Sequence, residues 1–313
     1  MVIIINKANP MEPLVKNLRL SLRKLVRELD VTKGVYKSTG YSYTECHILI
    51  ELDQYGMMTI KELAELLNTD KSIVSKTVNS MMKKGLLKTE KNRTDNRQKP
   101  LVLTQKGKSE ASRLNYEANV QVTEALSILK EEERDIVLKG IQSYSKALNK
   151  MRRQAEYQVR PIRKSDNKFM EKIIIDVMTE FGAVGEGYSI KDAEVANMFD
   201  AYNNDKSAYF VITRGKEVLG GAGVGILPEA EDVCELKKMY FVPEIRGIGL
   251  GEKLLNLCLD AARKIGYKRC YLETLERMPQ ARGLYMKYGF DPINGPVGCT
   301  GHYSCDNYYI RDL

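Results

Sequence analysis

Apolar residues recur at Leu14, Leu18, Leu22, Leu25/Val26 and Leu29, a three-to-four spacing that predicts one long amphipathic helix from Pro13 to about Val35. A second helix is expected over TECHILIEL, capped by Thr44 and with Glu45 supplying charge to its first turn. Thr59 is expected to cap a short helix through Leu67, and Asn68-Thr69-Asp70 to make a tight turn. The next helix is expected to face Ile73, Val74, Val78 and Met81/Met82 inward, leaving Lys71, Ser72, Ser75, Lys76 and Asn79 on the outer face. Two short helices around a turn, the second with small polar and basic residues outward, predict a helix-turn-helix whose second helix enters the major groove of DNA. Gly85 ends that helix. Leu86–Glu90 and Pro100–Leu103 then flank the polar loop KNRTDNRQK as the two strands of a wing, with Arg93 and Arg97 expected to reach phosphates or the minor groove. Two long helices, roughly 106–129 and 131–153, close this half. The second carries Ile136, Ile141, Tyr144, Leu148 and Met151 on one face.

After Arg152-Arg153 the helical period gives way to strand-like segments. Tyr157–Pro161 is expected to be a first strand, followed by a helix near Lys168–Phe181, a glycine-rich loop and a helix near Asp192–Tyr202. Strands are expected at Ser207–Thr213, Val218–Ile226 and Cys234–Val242. The loop RGIGLG then opens a helix to Ile265. Strand RCYLET, helix PQARGLYMKYGF and a final strand near His302–Ile310 complete an α+β pattern on a mixed, mostly antiparallel sheet. The division predicts two domains, 1–155 and 156–313, joined by a short linker with no Gly/Ser/Pro tract.

Charge changes the picture in one respect. Residues 1–155 hold 28 Lys+Arg against 18 Asp+Glu, while 156–313 hold 21 against 23, and within 71–108 the count is 11 against 2. A basic surface confined to the helix-turn-helix and wing suits a polyanion such as double-stranded DNA. Six cysteines without CxxC spacing suggest reduced core thiols, and two histidines leave little for a His/Cys metal site, so no metal is expected. The apolar run Val2–Ile5 is too short for a signal peptide or a membrane helix, so a cytoplasmic protein with no membrane partner is expected.

The order of helices, KKGLL, the wing with Asp95 and Arg97, and Leu103-Thr104 followed by Gly107 resembles the MarR family of bacterial regulators over about 10–153. That resemblance implies a homodimer held by the first and last helices, with one recognition helix and wing on each operator half-site. The apolar faces of those helices agree, because one small winged helix cannot cover them.

RGIGLG follows a strand and opens a helix, so its main-chain amides and the positive helix end converge on an anion. No Gly-Lys-Ser/Thr follows, which excludes a P-loop, and the loop comes too late in an unsuitable sheet for a dinucleotide fingerprint. Arg246, Gly249 and Gly251 match the R/Q-x-x-G-x-G/A signature of the GNAT acetyltransferases. ELKKMYFVP resembles that superfamily's fourth strand, and Ala281, Leu284, Tyr285, Gly289 and Phe290 resemble its later helix-strand motif, together covering about 157–313. Met278 stands where an asparagine is frequent.

The resemblance implies acetyl-CoA as co-substrate and an amine, on a small molecule or a protein, as acceptor. Its pyrophosphate is expected at Arg246 and the amides of Gly247, Ile248, Gly249, Leu250 and Gly251. Its pantetheine arm is expected along the backbone of Met239, Tyr240 and Phe241. Tyr285 is expected to protonate the leaving sulfur and Glu235 to act as base through water. Glu186, Tyr188 and the loop FGAVGEGYS are expected at the acceptor entrance, with His302 and Tyr303 either bordering the cleft or packing at an edge. A regulator whose second half only senses acetyl-CoA, without turnover, is the other reading.

Overall fold

The computed structural model describes residues 11–34, 36, 39–90 and 100–313, so Arg93, Asp95 and Arg97 lie outside the described residues. The chain divides into two compact units, Met1–Ile136 and Val137–Leu313, with the division falling inside one helix.

The first unit begins with α1 (Glu12–Glu28), which has no buried residue. α2 (Tyr43–Tyr55), α3 (Ile60–Leu66), α4 (Lys71–Lys83), the hairpin of β1 (Leu87–Thr89) and β2 (Leu101–Leu103), and α5 (Gln105–Ser127) follow. α2 is capped by Ser42 rather than Thr44. The Ser42 hydroxyl accepts from Glu45 N–H while the Glu45 carboxylate accepts from Ser42 N–H, a reciprocal box that starts the helix two residues before the expected cap. Thr59 caps α3 as expected, and with Glu62 it makes the same reciprocal box.

Ile48, Leu49, Leu63, Val74, Val78, Met81, Leu86 and Leu114 form one core. Ile73 and Met82, expected inward on α4, are exposed, because the core reaches only the strip of Val74, Val78 and Met81. Thr104 caps α5 by accepting from Gly107 N–H at 3.1 Å. A Cβ on Gly107 would stand 2.2 Å from the Leu86 carbonyl oxygen, so glycine lets α5 start directly against the hairpin.

α6 (Glu131–Gln154) spans the division and also has no buried residue. The second unit continues with β3 (Gln158–Pro161), α7 (Asn167–Glu180), a 3₁₀ turn Ala193–Asn197 running into α8 (Met198–Tyr202), β4 (Ala208–Arg214), β5 (Glu217–Ile226) and β6 (Val233–Phe241). α9 (Leu250–Ile265), β7 (Arg269–Thr274), α10 (Pro279–Lys287), β8 (Asp291–Ile293) and β9 (Asn307–Asp312) complete it. The seven strands lie in the order β3-β4-β5-β6-β7-β9-β8, and only β6 and β7 run parallel. The sheet is mixed and mostly antiparallel, matching the expected α+β class.

Both sheet faces are covered. Ile212, Leu236 and Leu272 pack with Leu254, Leu255, Cys258 and Leu259 of α9, while Val211 and Val218 pack with Met170, Ile174 and Val177 of α7. Adjacent Val211 and Ile212 serve opposite layers, the period of two that a doubly covered strand requires. The final strand begins at Asn307 rather than near His302, which lies in the preceding loop. Among the described residues, no helix is long and apolar enough to cross a membrane.

Candidate functional site

β6 and β7 pair only over Val233–Glu235 and Arg269–Tyr271. Beyond that they diverge, leaving the edge of Leu236–Phe241 that faces β7 without a strand partner. The fork opens a cavity of about 70 Å³ lined by Glu235, Met239, Tyr240, Glu273, Tyr285 and His302, among others. Lys238, at φ +55°, marks a break in the β5–β6 register beside the fork, and its side chain is fully buried. β6 then leads through a 3₁₀ turn, Pro243–Ile245, into RGIGLG and α9. The strand fork and the RGIGLG loop therefore sit on one continuous piece of chain.

Tyr285 is buried on α10 and lines the fork, with Phe290 and Tyr309 rings 5.9 and 6.4 Å away. Its hydroxyl points toward β6, 3.9 Å from Met239 Sδ. Burial pushes its pKa well above the ordinary tyrosine value, so it stays protonated at neutral pH.

Glu235 is 4% exposed, and its nearest cations are Lys237 at 3.7 Å and His302 at 3.9 Å. Burial raises its pKa despite those neighbours, which favours a carboxylate able to accept a proton. Tyr240 hydrogen-bonds through its hydroxyl to Ser189 Oγ at 2.8 Å, while its backbone faces Gly221 of β5.

The loop is more occupied than its motif suggests. Gly249 is the N-cap of α9 at φ +83°, and the first amides of α9 have no intrahelical acceptor. Arg246, expected on the pyrophosphate, makes a two-pronged ion pair with Glu180 at 2.6 and 2.7 Å and donates to the Phe241 carbonyl at 3.0 Å. Within the same unit, the end of α6 reaches the loop. Lys150 pairs with Glu252, and Gln154 donates to the Ile248 carbonyl at 2.9 Å. Lys287 also meets Glu252, at 2.5 Å.

Sequence reasoning missed a charged cluster around His302. Its Nε2 lies 2.8 Å from Asp192 Oδ2, and its Nδ1 lies 3.5 Å from Glu273 Oε2. Burial disfavours the imidazolium, but Asp192 and Glu273 outweigh it and raise the pKa to about 9. Lys238 pairs with the same Asp192 and, at 3.3 Å, with Glu194. Tyr188 lines the cavity, whereas Tyr303 is exposed; Glu186 contributes its carbonyl to Ser304 Oγ at 3.2 Å. No periodicity marks these loop residues, and the bulge at Lys238 interrupts the strand pattern that would have flagged it.

In the first unit, Lys71, Ser72, Lys76 and Asn79 are exposed along α4 and Ser75 is half-buried, so all five avoid the core strip. Among the described residues, no group of three or more His, Cys, Asp or Glu side chains is arranged to hold a metal ion.

Comparison with known proteins matches residues 171–290 to the acetyltransferase (GNAT) family and residues 41–99 to the MarR family. An uncharacterized N-acetyltransferase of Escherichia coli (strain K12), YjgM, is 40% identical over 150 residues, covering 47% of this chain and 90% of the relative. An IAA acetyltransferase of Azospirillum brasilense is 32% identical over 92 residues, covering 29% of this chain and 60% of the relative. Among solved structures, yncA, a putative acetyltransferase from Salmonella typhimurium with acetyl-CoA, aligns at a TM-score of 0.43 and 20% identity, over 50% of this chain and 94% of that one.

Proposed function

Because the chain belongs to the GNAT family of N-acetyltransferases and carries a MarR-family domain ahead of it, we propose that it combines acetyl transfer from acetyl-CoA to an amine acceptor with sequence-specific binding of double-stranded DNA. The observation that carries the enzymatic half is the fork between β6 and β7, where Tyr285 and Glu235 line one small cavity. A thioester with its pantetheine arm along the free edge of Met239–Phe241 brings its carbonyl into that cavity. The diphosphate rests on the amides of Gly247–Gly251, and Arg246 turns from Glu180 to meet it.

Glu235, through water, takes a proton from the acceptor ammonium. The freed nitrogen attacks the thioester carbonyl, the C–N bond forms, and the C–S bond breaks. The departing thiolate takes the Tyr285 hydroxyl proton. The acylated nitrogen gives up its second proton to water, from which Tyr285 is reprotonated, and Glu235 releases its own proton to solvent. Burial in the fork raises the proton affinity of Glu235, which favours the first transfer. It opposes ionisation of Tyr285, so the second transfer is driven by the charge developing on the departing sulfur.

For the regulatory half, the outward residues of α4 read the major groove, and Arg93 and Arg97 of the wing contact phosphate or the minor groove. The uncovered apolar faces of α1 and α6 support a homodimer through those helices. Duplex DNA and acetyl-CoA as its two ligands support a cytoplasmic working compartment. The domains are taken as 1–155 and 156–313, with α6 as the regulator's last helix.

The test is a thiol-release assay with acetyl-CoA across alkylamines, polyamines, amino acids and aminoglycosides. Amine-dependent thiol release is expected. Tight acetyl-CoA binding with no release for any amine class overturns the transfer and leaves a regulator that senses the coenzyme.

A further inference from the structure

Glu273 is the last residue but one of β7, beside the fork, with its side chain 3% exposed. Its Oε1 accepts from Tyr271 at 2.7 Å and from Thr300 at 2.8 Å. Its Oε2 is, among the described residues, the buried side-chain polar atom left without a hydrogen-bond partner. The nearest cation, His302 Nδ1 at 3.5 Å, is too distant to make a well-formed hydrogen bond. An orphaned buried carboxylate oxygen is costly unless something donates to it.

The surrounding charges say what that donor is. Asp192 holds both Lys238 and His302, and Glu194 holds Lys237 at 3.1 Å and Lys238 at 3.3 Å. Glu235 and Glu273 have only the longer contacts to Lys237 and His302. Four carboxylates, Asp192, Glu194, Glu235 and Glu273, thus face three cations, Lys237, Lys238 and His302. The cluster lacks one positive charge, on the side that lines the cavity.

We propose that Glu273 Oε2, with Glu235 beside it, seats the acceptor as a protonated alkylammonium with no carboxylate next to the reacting nitrogen. This rests on the transferase reading above and names its acceptor class. An α-carboxylate would lie against the same two acids, while Lys238 and His302 are already committed to Asp192. The cavity of about 70 Å³ is smaller than the roughly 150 Å³ that holds a benzene ring, so the buried part of the acceptor is a slender methylene stem. Tyr188 and Leu275 line both this cavity and an adjoining cleft of about 400 Å³, which also carries Glu276, Arg277 and Asp306. The remainder of the acceptor extends into that cleft.

The full-length protein saturated with CoA, which cannot transfer an acetyl group, is titrated calorimetrically with n-butylammonium and with alanine. Butylammonium is expected to bind at least tenfold more tightly than alanine. Glu273→Gln keeps the contacts at Oε1 but loses the charge, and is expected to weaken butylammonium by about 10- to 100-fold with CoA affinity unchanged. Alanine binding as tightly as butylammonium, or Glu273→Gln retaining amine affinity, overturns the proposal. If Glu273→Gln no longer binds CoA, the wild-type comparison of the two amines decides alone. Butylammonium seated at Glu273, with no thiol release for any amine class, overturns the transferase reading and with it the acceptor role, leaving Glu273 as an ammonium site alone; a protein that binds neither CoA nor amine overturns both.

Discussion

Asp192 and His302, 110 positions apart in the chain, meet at 2.8 Å between Oδ2 and Nε2 beside the strand fork. The pair joins the loop before the 3₁₀ turn at Ala193–Asn197 to the loop before β9, and so ties together two segments that are distant in the chain.

Because His302 titrates at about 9 in the folded protein against 6.5 as a free group, its pairing stabilises the fold fully below pH 6.5. That contribution, on the order of 3 kcal/mol, declines as pH rises from 6.5 and is lost once pH passes about 9. Thermal unfolding of wild type and His302→Gln across this window is expected to show a gap in Tm that closes toward high pH. A gap independent of pH contradicts the pairing.

Tyr285→Phe removes one oxygen from a buried ring. The expected result is a fall in kcat of about 10²-fold with acetyl-CoA affinity within twofold of wild type, measured by steady-state kinetics and calorimetry. Loss of coenzyme binding instead would mean that the hydroxyl serves packing.

Glu235 must be ionised to take a proton, and burial raises its pKa. Activity is therefore expected to rise with pH along an acid limb lying above the usual carboxylate range. Glu235→Gln is expected to abolish that limb and lower kcat/KM by about 10²-fold, read from pH–rate profiles of both proteins.

Gly249→Ala forces an alanine to φ +83° and brings a Cβ to 1.7 Å from Lys150 Cε. The lysine end can swing away, so the lasting cost is the backbone strain of about 1–2 kcal/mol. A lowered Tm together with weaker CoA binding is expected. Unchanged CoA affinity would remove the loop from the diphosphate site.

Lys71→Ala and Lys76→Ala take exposed cations from α4. Each is expected to weaken binding to duplex DNA and to flatten the slope of log affinity against log salt by about one. Slopes matching wild type in mobility-shift titrations would move the DNA contacts elsewhere.

Much of this molecule was legible before folding. Caps and turn residues act within a few positions, so Thr59 and Gly85 marked their helix ends correctly. RGIGLG was legible as a glycine turn opening a helix, because glycine spacing and a helix start are local facts. Periodicity, by contrast, names an apolar stripe without saying how wide its partner is. Ile73 and Met82 carry the pattern of core residues and are exposed.

Tertiary structure alone decided where charge collects. Asp192, Lys238, Glu273 and His302 come from loops, a bulge and a strand end, and no spacing rule connects them. Nor does Arg246 reveal in sequence that Glu180 already holds it. Local chemistry is written along the chain because hydrogen bonds to neighbouring backbone are short-range. Burial and ion pairing depend on which distant segments close over a group, and that is settled only when the sheet assembles.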